Sequence, residues 1–414
     1  MRDFLQSRLA PFASVSFRRF FAAHSISLIG FWAFDLARSW IVVSGLGRAT
    51  ELGLVLMAGA IPGIFFSLYG GVIADRVDAR QLMILTKSIL AALSLLLAYF
   101  AEYHRIELWH LVVFGFIQGS VTAMDGPIFN ATMVRMISRQ DYQQALAISS
   151  TLFHASRSLG PVIAGVLMAL HGPSLVFLFD GVTYFGLILV LLKLELREVR
   201  EQPTLVNNPL ADFAEGLRYV FSNMRLRFML LQLFASLCLI FPILNVILRS
   251  YVKSRFHMDG ENFGYIFTLP ASGALLGALY FAALKPKKPV HGLRFGIPFA
   301  VLMILLVKQM QTPLSAGIAM GVAGFFVYFC FASLTVSMNL EVEEKYRGRM
   351  ASLLTLGFNS IGPLMSYPIG AISDKLGYES SMMALALIYA TASAIIYLLH
   401  AKEVRAARAN IGPS

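Results

Sequence analysis

About twelve apolar runs divide this 414-residue chain, each near the length of a membrane span, with short basic turns between them. A bilayer core takes about 20 apolar residues of helix, and in lipid the segment must satisfy its own backbone polar groups. The first six runs fall at roughly 20–45, 52–74, 82–102, 108–133, 144–171 and 173–193. The last six fall at roughly 225–250, 262–284, 293–310, 313–338, 350–373 and 378–400, the ninth being short. Only 14% of residues are charged, against about a quarter in a soluble domain. The chain therefore reads as an all-α membrane protein with twelve transmembrane helices in two six-helix bundles.

The longest polar stretch, Glu195 to Arg227, separates runs six and seven. Within it, Asp212 to Phe221 alternates at helical spacing and reads as an amphipathic surface helix. The expected division is 1–194 for an N-terminal bundle, 195–224 for a cytoplasmic linker and 225–414 for a C-terminal bundle. The net charge of +11 does not point to nucleic acid, because the basic residues lie in turns. With both termini in the cytoplasm, about 25 of the 34 basic residues fall on that side, as the positive-inside bias requires. A multi-pass protein of a bacterial-type inner (plasma) membrane is expected, working as a monomer. Met1 to Arg19 is basic, broken by Pro11 and lacks an apolar core, so no removable leader is read there. Cys238 and Cys330 lie in apolar runs and suggest neither a disulfide framework nor a metal site, and no cofactor is expected.

One turn concentrates glycine and charge: Gly70-Gly71-Val72-Ile73-Ala74-Asp75-Arg76-Val77-Asp78-Ala79-Arg80. Small residues let helices approach, and the charges mark the cytoplasmic surface. The two halves also echo each other. Run five carries Gly160-Pro161 and Gly165, run eleven carries Gly362-Pro363 and Gly370, and each Gly-Pro follows a polar, charged turn. An internal repeat of six spans is a transporter architecture.

The turn resembles the loop 2–3 signature of the major facilitator superfamily: glycine, three residues, Asp, Arg, any residue, glycine, then two basic residues. Gly71, Asp75, Arg76 and Arg80 match it, and Asp78 and Ala79 depart from it. The counterpart turn in the second half, Gly277 through Lys288, keeps glycine and basic residues but has Phe281 and Ala282 where Asp75 and Arg76 stand, so a one-sided lock is expected. The chain is similar to the enterobactin-exporter-like branch in Phe17-Arg18-Arg19-Phe20, Ser27 to Trp32, Trp40 and Ala145-Leu146-Ala147. Ser156, Gly160, Pro161, Ala164 and Gly165 fill the antiporter pattern of span five. The resemblance implies that Gly71, Asp75, Arg76 and Arg80 form a cytoplasmic latch, that Gly160, Pro161 and Gly165 form a helix seal, and that siderophores or drugs are exported in exchange for protons. In the span-four pattern of arginine, two residues, Gln-Gly, Gln118-Gly119 match but Gly115 stands at the arginine position. This departure puts the usual coupling arginine in doubt.

An ionisable group in mid-membrane faces a cavity or a partner. Asp35 and Arg38 are three apart in run one, on one helix face. Asp35 is the first candidate for proton binding, with Arg38 or Arg157 as its partner. His154 and Arg157 share a face of run five, and Asp125 opens a broken turn in run four. These readings compete with static ion pairs and packing. Trp32, Phe34, Asn130, Tyr184, Asn245 and Asn359 are candidates for a substrate cavity, and Asp180 and Arg249 are weaker sites. No phosphate loop, His-Glu-x-x-His or serine elbow is present, so neither ATP use nor an enzyme is expected. The expected partners are a small amphiphilic molecule, protons and the bilayer. The alternatives are an importer or a lipid or metal carrier of the same fold, or a non-transporting sensor.

Overall fold

A computed structural model describes residues 10–76, 78–138, 140–194, 209–284 and 289–409. Among them there is no strand, and every apolar run is helical. The first six are α1 (Val15–Ile41), α2 (Ala49–Arg76), α3 (Ala79–Glu102), α4 (Leu108–Val134), α5 (Tyr142–His171) and α6 (Pro173–Leu192). The short amphipathic helix α7 (Pro209–Ser222) follows. Next come α8 (Met224–Phe256), α9 (Gly260–Leu284), α10 (Leu293–Leu306), α11 (Pro313–Glu341), α12 (347–376) and α13 (Tyr378–Ala409). Among the described residues, eleven helices are long and apolar enough to cross a membrane. Helix α12 falls outside that group because Arg347, Arg349, Asn359 and several serines dilute its apolar face.

The ends are set by local chemistry. Ser14 Oγ accepts from the Phe17 amide at the start of α1, and Asn223 accepts from Arg225 and Leu226 at the start of α8. Thr312 and Ser315 form a capping box, with Pro313 in the first turn of α11. Gly172, at φ +75°, is the one residue between α5 and α6, a conformation open to glycine. A π turn at Val42–Leu46 follows α1, and α8 and α12 contain π turns at Ser236–Ile240, Ile243–Ile247 and Gly357–Ile361. Such wide turns recur at functional positions.

The chain forms two compact units. The first contains α1, α2 from Ile61 onward, α3 to α6, and the start of α9 up to Thr268. There α1 packs on α5 and α6, and α3 packs on α6 along most of its length. Its core includes Phe17, Phe20, Met83, Ile128, Met133, Leu187 and Leu191. The second unit contains Gly47–Ala60, α7, α8, α9 from Leu269, and α10 to α13. In it α10 lies on α11 and α13, and α8 packs on α11 and α13. Thus α2 and α9 each belong to both units. Each has an internal proline beside the change, Pro62 after Ile61 and Pro270 after Leu269. Leu170 at 69% and Leu340 at 73% exposure are among the large apolar side chains turned outward, as a lipid-facing surface requires.

Candidate functional site

Charged side chains gather inside the first unit. On α1, Asp35 and Arg38 stand one turn apart, and Arg38 Nη2 donates to Asp35 Oδ1 at 2.8 Å. The other arm of the guanidinium donates from Nη1 to Gln118 Oε1 of α4, also at 2.8 Å. Both side chains of the ion pair are largely buried, and Phe34 lies 5.7 Å below the guanidinium. A planar fork suits this double contact. Gln118 belongs to the pattern whose arginine position holds Gly115. An arginine from a neighbouring helix thus reaches the glutamine.

A second ion pair crosses from α3 to α4. Lys87 Nζ lies 2.7 Å from Asp125 Oδ2, with the lysine nearly buried and the aspartate side chain 28% exposed. A third polar contact links α3 and α6, where Ser94 Oγ donates to Asp180 Oδ2 at 2.6 Å. Asp180 is only 1% exposed. Sequence reasoning missed Lys87. Its signal was a lone lysine within the apolar run at 82–102.

The remaining candidates separate into packed and open positions. Arg157 lies over the Trp32 ring at 5.1 Å, and Phe153 meets Trp32 edge-on and neighbours the His154 ring. Phe34 is buried against Phe177, and Tyr184 is buried. Asn130 and Asn359 are exposed, the latter in a π turn. Asn245 Nδ2 donates to the Phe241 carbonyl within α8.

The antiporter-like residues of α5 make close backbone contacts within the same unit. A Cβ at Gly160 would overlap Trp32 of α1. One at Gly165 would lie 3.0 Å from the Glu261 carbonyl of α9, and one at Gly264 of α9 would lie 2.8 Å from the Pro161 carbonyl. Buried Ser156 and Ala164 complete the small-residue stripe.

The charged turn begins later than its residues suggest. Gly71, Asp75 and Arg76 continue α2 as helix, and their side chains lie outside the described residues. Arg80 Nη2 donates to the Leu192 carbonyl at the end of α6. Asp78, the departure from the family pattern, caps α3 by accepting from the Gln81 amide at 3.0 Å and pairs with Arg135 at 3.0 Å. Burial pushes its carboxyl up, but the Gln81 amide and the Arg135 guanidinium outweigh this and hold it below its ordinary value.

The second unit contains an acid-bearing turn that sequence reasoning did not single out. Gly370-Ala371-Ile372-Ser373-Asp374-Lys375-Leu376-Gly377 repeats glycine, three residues, Asp, a basic residue, any residue and glycine. Asp374 accepts from the Ala49 and Thr50 amides at 2.9 and 2.8 Å, and also from the Thr50 hydroxyl. It serves as the cap that the start of α2 would otherwise lack. Tyr378 Oη donates to the Gly47 carbonyl at 3.1 Å. Linker helix α7 is held in the same unit by Arg349–Glu215 at 2.6 Å and by a Tyr219–Tyr346 stack at 3.9 Å. Among the described residues, no group of three His, Cys, Asp or Glu could hold a metal ion.

Comparison with known proteins agrees with this architecture. The family model described as transmembrane secretion effector matches residues 6–412. The staphyloferrin A transporter of Staphylococcus aureus is 21% identical over 389 residues, covering 92% of this chain and 96% of that protein. The multidrug efflux pump Tap of Mycolicibacterium fortuitum is 22% identical over 375 residues, covering 88% of this chain and 89% of that one. Among solved structures, a bacterial homologue of the human lysosomal transporter Spinster, inward-facing and unoccupied, aligns with a TM-score of 0.67 at 16% identity. That match covers 94% of this chain and 98% of the other, and at this identity it speaks for the fold alone. With the family model spanning all but a few residues at either end, the chain belongs to the major facilitator superfamily, in its transmembrane secretion effector family.

Proposed function

We propose that this transporter exports amphiphilic small molecules, siderophores or drug-like compounds, from the cytoplasm in exchange for protons. It works by alternating access as a monomer in a bacterial inner membrane, with both termini cytoplasmic. The observation that carries the reading is the buried Asp35–Arg38–Gln118 linkage across α1 and α4. A carboxylate held by an arginine inside a membrane bundle is costly to maintain and is suited to exchange a proton as its partner moves. The names of the relatives support the export direction. Trp32 with Arg157 offers an aromatic and cationic face on which an amphiphile could rest. Gly160, Pro161 and Gly165 act as the helix seal, and Gly71, Asp75, Arg76 and Arg80 as the cytoplasmic latch.

The test is compound retention in a pump-deficient bacterial host expressing the native chain, Asp35→Asn, or neither. The panel holds siderophores and lipophilic cations, with and without a protonophore. The expected outcome is several-fold lower retention with the native chain, lost in Asp35→Asn and lost with the protonophore. Raised uptake would reverse the direction. Unchanged retention across the panel, with the protein present in the membrane, would overturn the reading.

A further inference from the structure

Inside the first unit, the ammonium that pairs with one carboxyl lies within electrostatic reach of a second. Lys87 and Ser94 of α3 are seven residues apart and so share a face, turned toward α6. Asp180 and Tyr184 of α6 are four apart and share the face turned back. Ser94 holds Asp180, and Lys87 Nζ lies 5.9 Å from the centre of the Tyr184 ring. Asp180 is therefore about one helical turn, roughly 6 Å along the axis, from the ring that the ammonium already overlies. The Lys87 charge acts on Asp180 electrostatically.

The two carboxyls differ in setting. Asp125 holds Lys87 through Oδ2 and its side chain is 28% exposed, although its Oδ1 is buried without a hydrogen-bond partner. Asp180 is sealed in. Its Oδ1 has no hydrogen-bond partner, and a Cβ at Gly30 of α1 would come within 2.9 Å of it. An ionised carboxylate closed off from water with one hydroxyl donor is strongly disfavoured. One lysine with two ionised aspartates would leave a net negative charge, and one proton removes it.

The other titratable groups near this cluster are accounted for. From α1, His24 lies within electrostatic reach of Lys87, while Asp35 and Arg38 are tied to each other and to Gln118. From α5, Arg157 lies over Trp32, and His154 lies beside Phe153. Tyr184 of α6 is buried beside the cluster.

We propose that Lys87, Asp125 and Asp180 form a single proton-binding site in which the lysine is the switch. While Lys87 pairs with Asp125, the proton sits on Asp180, buried between α1, α3 and α6. When Lys87 swings to Asp180, the proton of that carboxyl passes to the Asp125 carboxylate that the lysine has released. The cluster holds one proton and stays neutral throughout. Only the Asp125 position exchanges it with water. Lys87 thereby decides whether the bound proton is sealed or accessible. The part this site plays in transport rests on the proton-coupled reading above.

The experiment is infrared difference spectroscopy of the full-length protein in lipid, near pH 7, reading the stretch of protonated carboxyl groups. Single variants compared with the native chain are Asp180→Asn, Asp125→Asn and Lys87→Met, each verified by its thermal melting. The switch predicts one protonated carboxyl from the cluster in the native chain, none in Asp180→Asn, none in Asp125→Asn and two in Lys87→Met. If Asp125→Asn keeps the native signal, Asp180 holds its proton without regard to Lys87 and the switch is wrong. If Lys87→Met gains no signal, it is equally wrong. Should Asp180→Asn fail to fold, the other two variants still decide. Accumulation of ethidium by inside-out vesicles under an imposed pH gradient runs in parallel. Counts as predicted without gradient-driven accumulation would sink proton-coupled export and leave the site standing. Accumulation with other counts would do the reverse.

Discussion

Arg38 answers two neighbours at once, and its shape decides whether it can. One guanidinium arm holds Asp35 and the other Gln118, each at 2.8 Å. A lysine would carry the same charge but offer one compact ammonium instead of a fork. Arg38→Lys is expected to leave one of the two partners unpaired in a buried setting, at a cost of about 1–3 kcal/mol. A lowered melting temperature together with weakened transport would bear this out, and an unchanged protein would show that the bridge to Gln118 is idle. Asp78 makes a different prediction. Its carboxyl is held below its ordinary value, so its contribution to stability is complete above the normal carboxylate range and fades as the medium acidifies through the folded value. Asparagine also caps helices well, so Asp78→Asn removes chiefly the charge pairing with Arg135. The melting difference between native and variant should be full at neutral pH and vanish in acid; a difference that persists in acid would refute the assignment.

At the scale of helices, the end of α12 caps the start of α2. Asp374→Ala removes the acceptor for the Ala49 and Thr50 amides, and loss of such a cap costs about 1 kcal/mol. Hydrogen exchange should quicken in the first turn of α2 and leave α3 unaffected; equal exchange in both proteins would show that water replaces the cap without cost. The apolar helices were legible in the residues because a membrane span needs length and hydropathy and little else. The Asp35–Arg38 pair was legible for a similar reason, since three residues on one helix fix a shared face. Lys87 with Asp125, 38 residues apart, and Ser94 with Asp180, 86 apart, depend on how separate helices are rotated against one another. No local spacing encodes that rotation. The turn at Gly370–Gly377 shares the glycine, acid and basic positions of the one at Gly71 but lies in a loop that is not its counterpart, so the internal repeat does not point to it. A carboxylate at a helix end caps whatever amides lie opposite, irrespective of loop number.

At the scale of the molecule, two compact units share two helices. Helix α2 passes from one unit to the other between Ala60 and Ile61, and α9 does so between Thr268 and Leu269. Pro62 and Pro270 stand one residue beyond each change. Proline has no amide to donate and crowds the preceding turn, so a helix yields there first. Pro62→Ala and Pro270→Ala are expected to raise the melting temperature and to slow turnover, the double variant most. Faster turnover would mean that rigid helices suffice. A rod of uniform stiffness spreads an imposed bend along its length, whereas one with a weak rung takes the bend at that rung, and in α2 and α9 the weak rungs are Pro62 and Pro270.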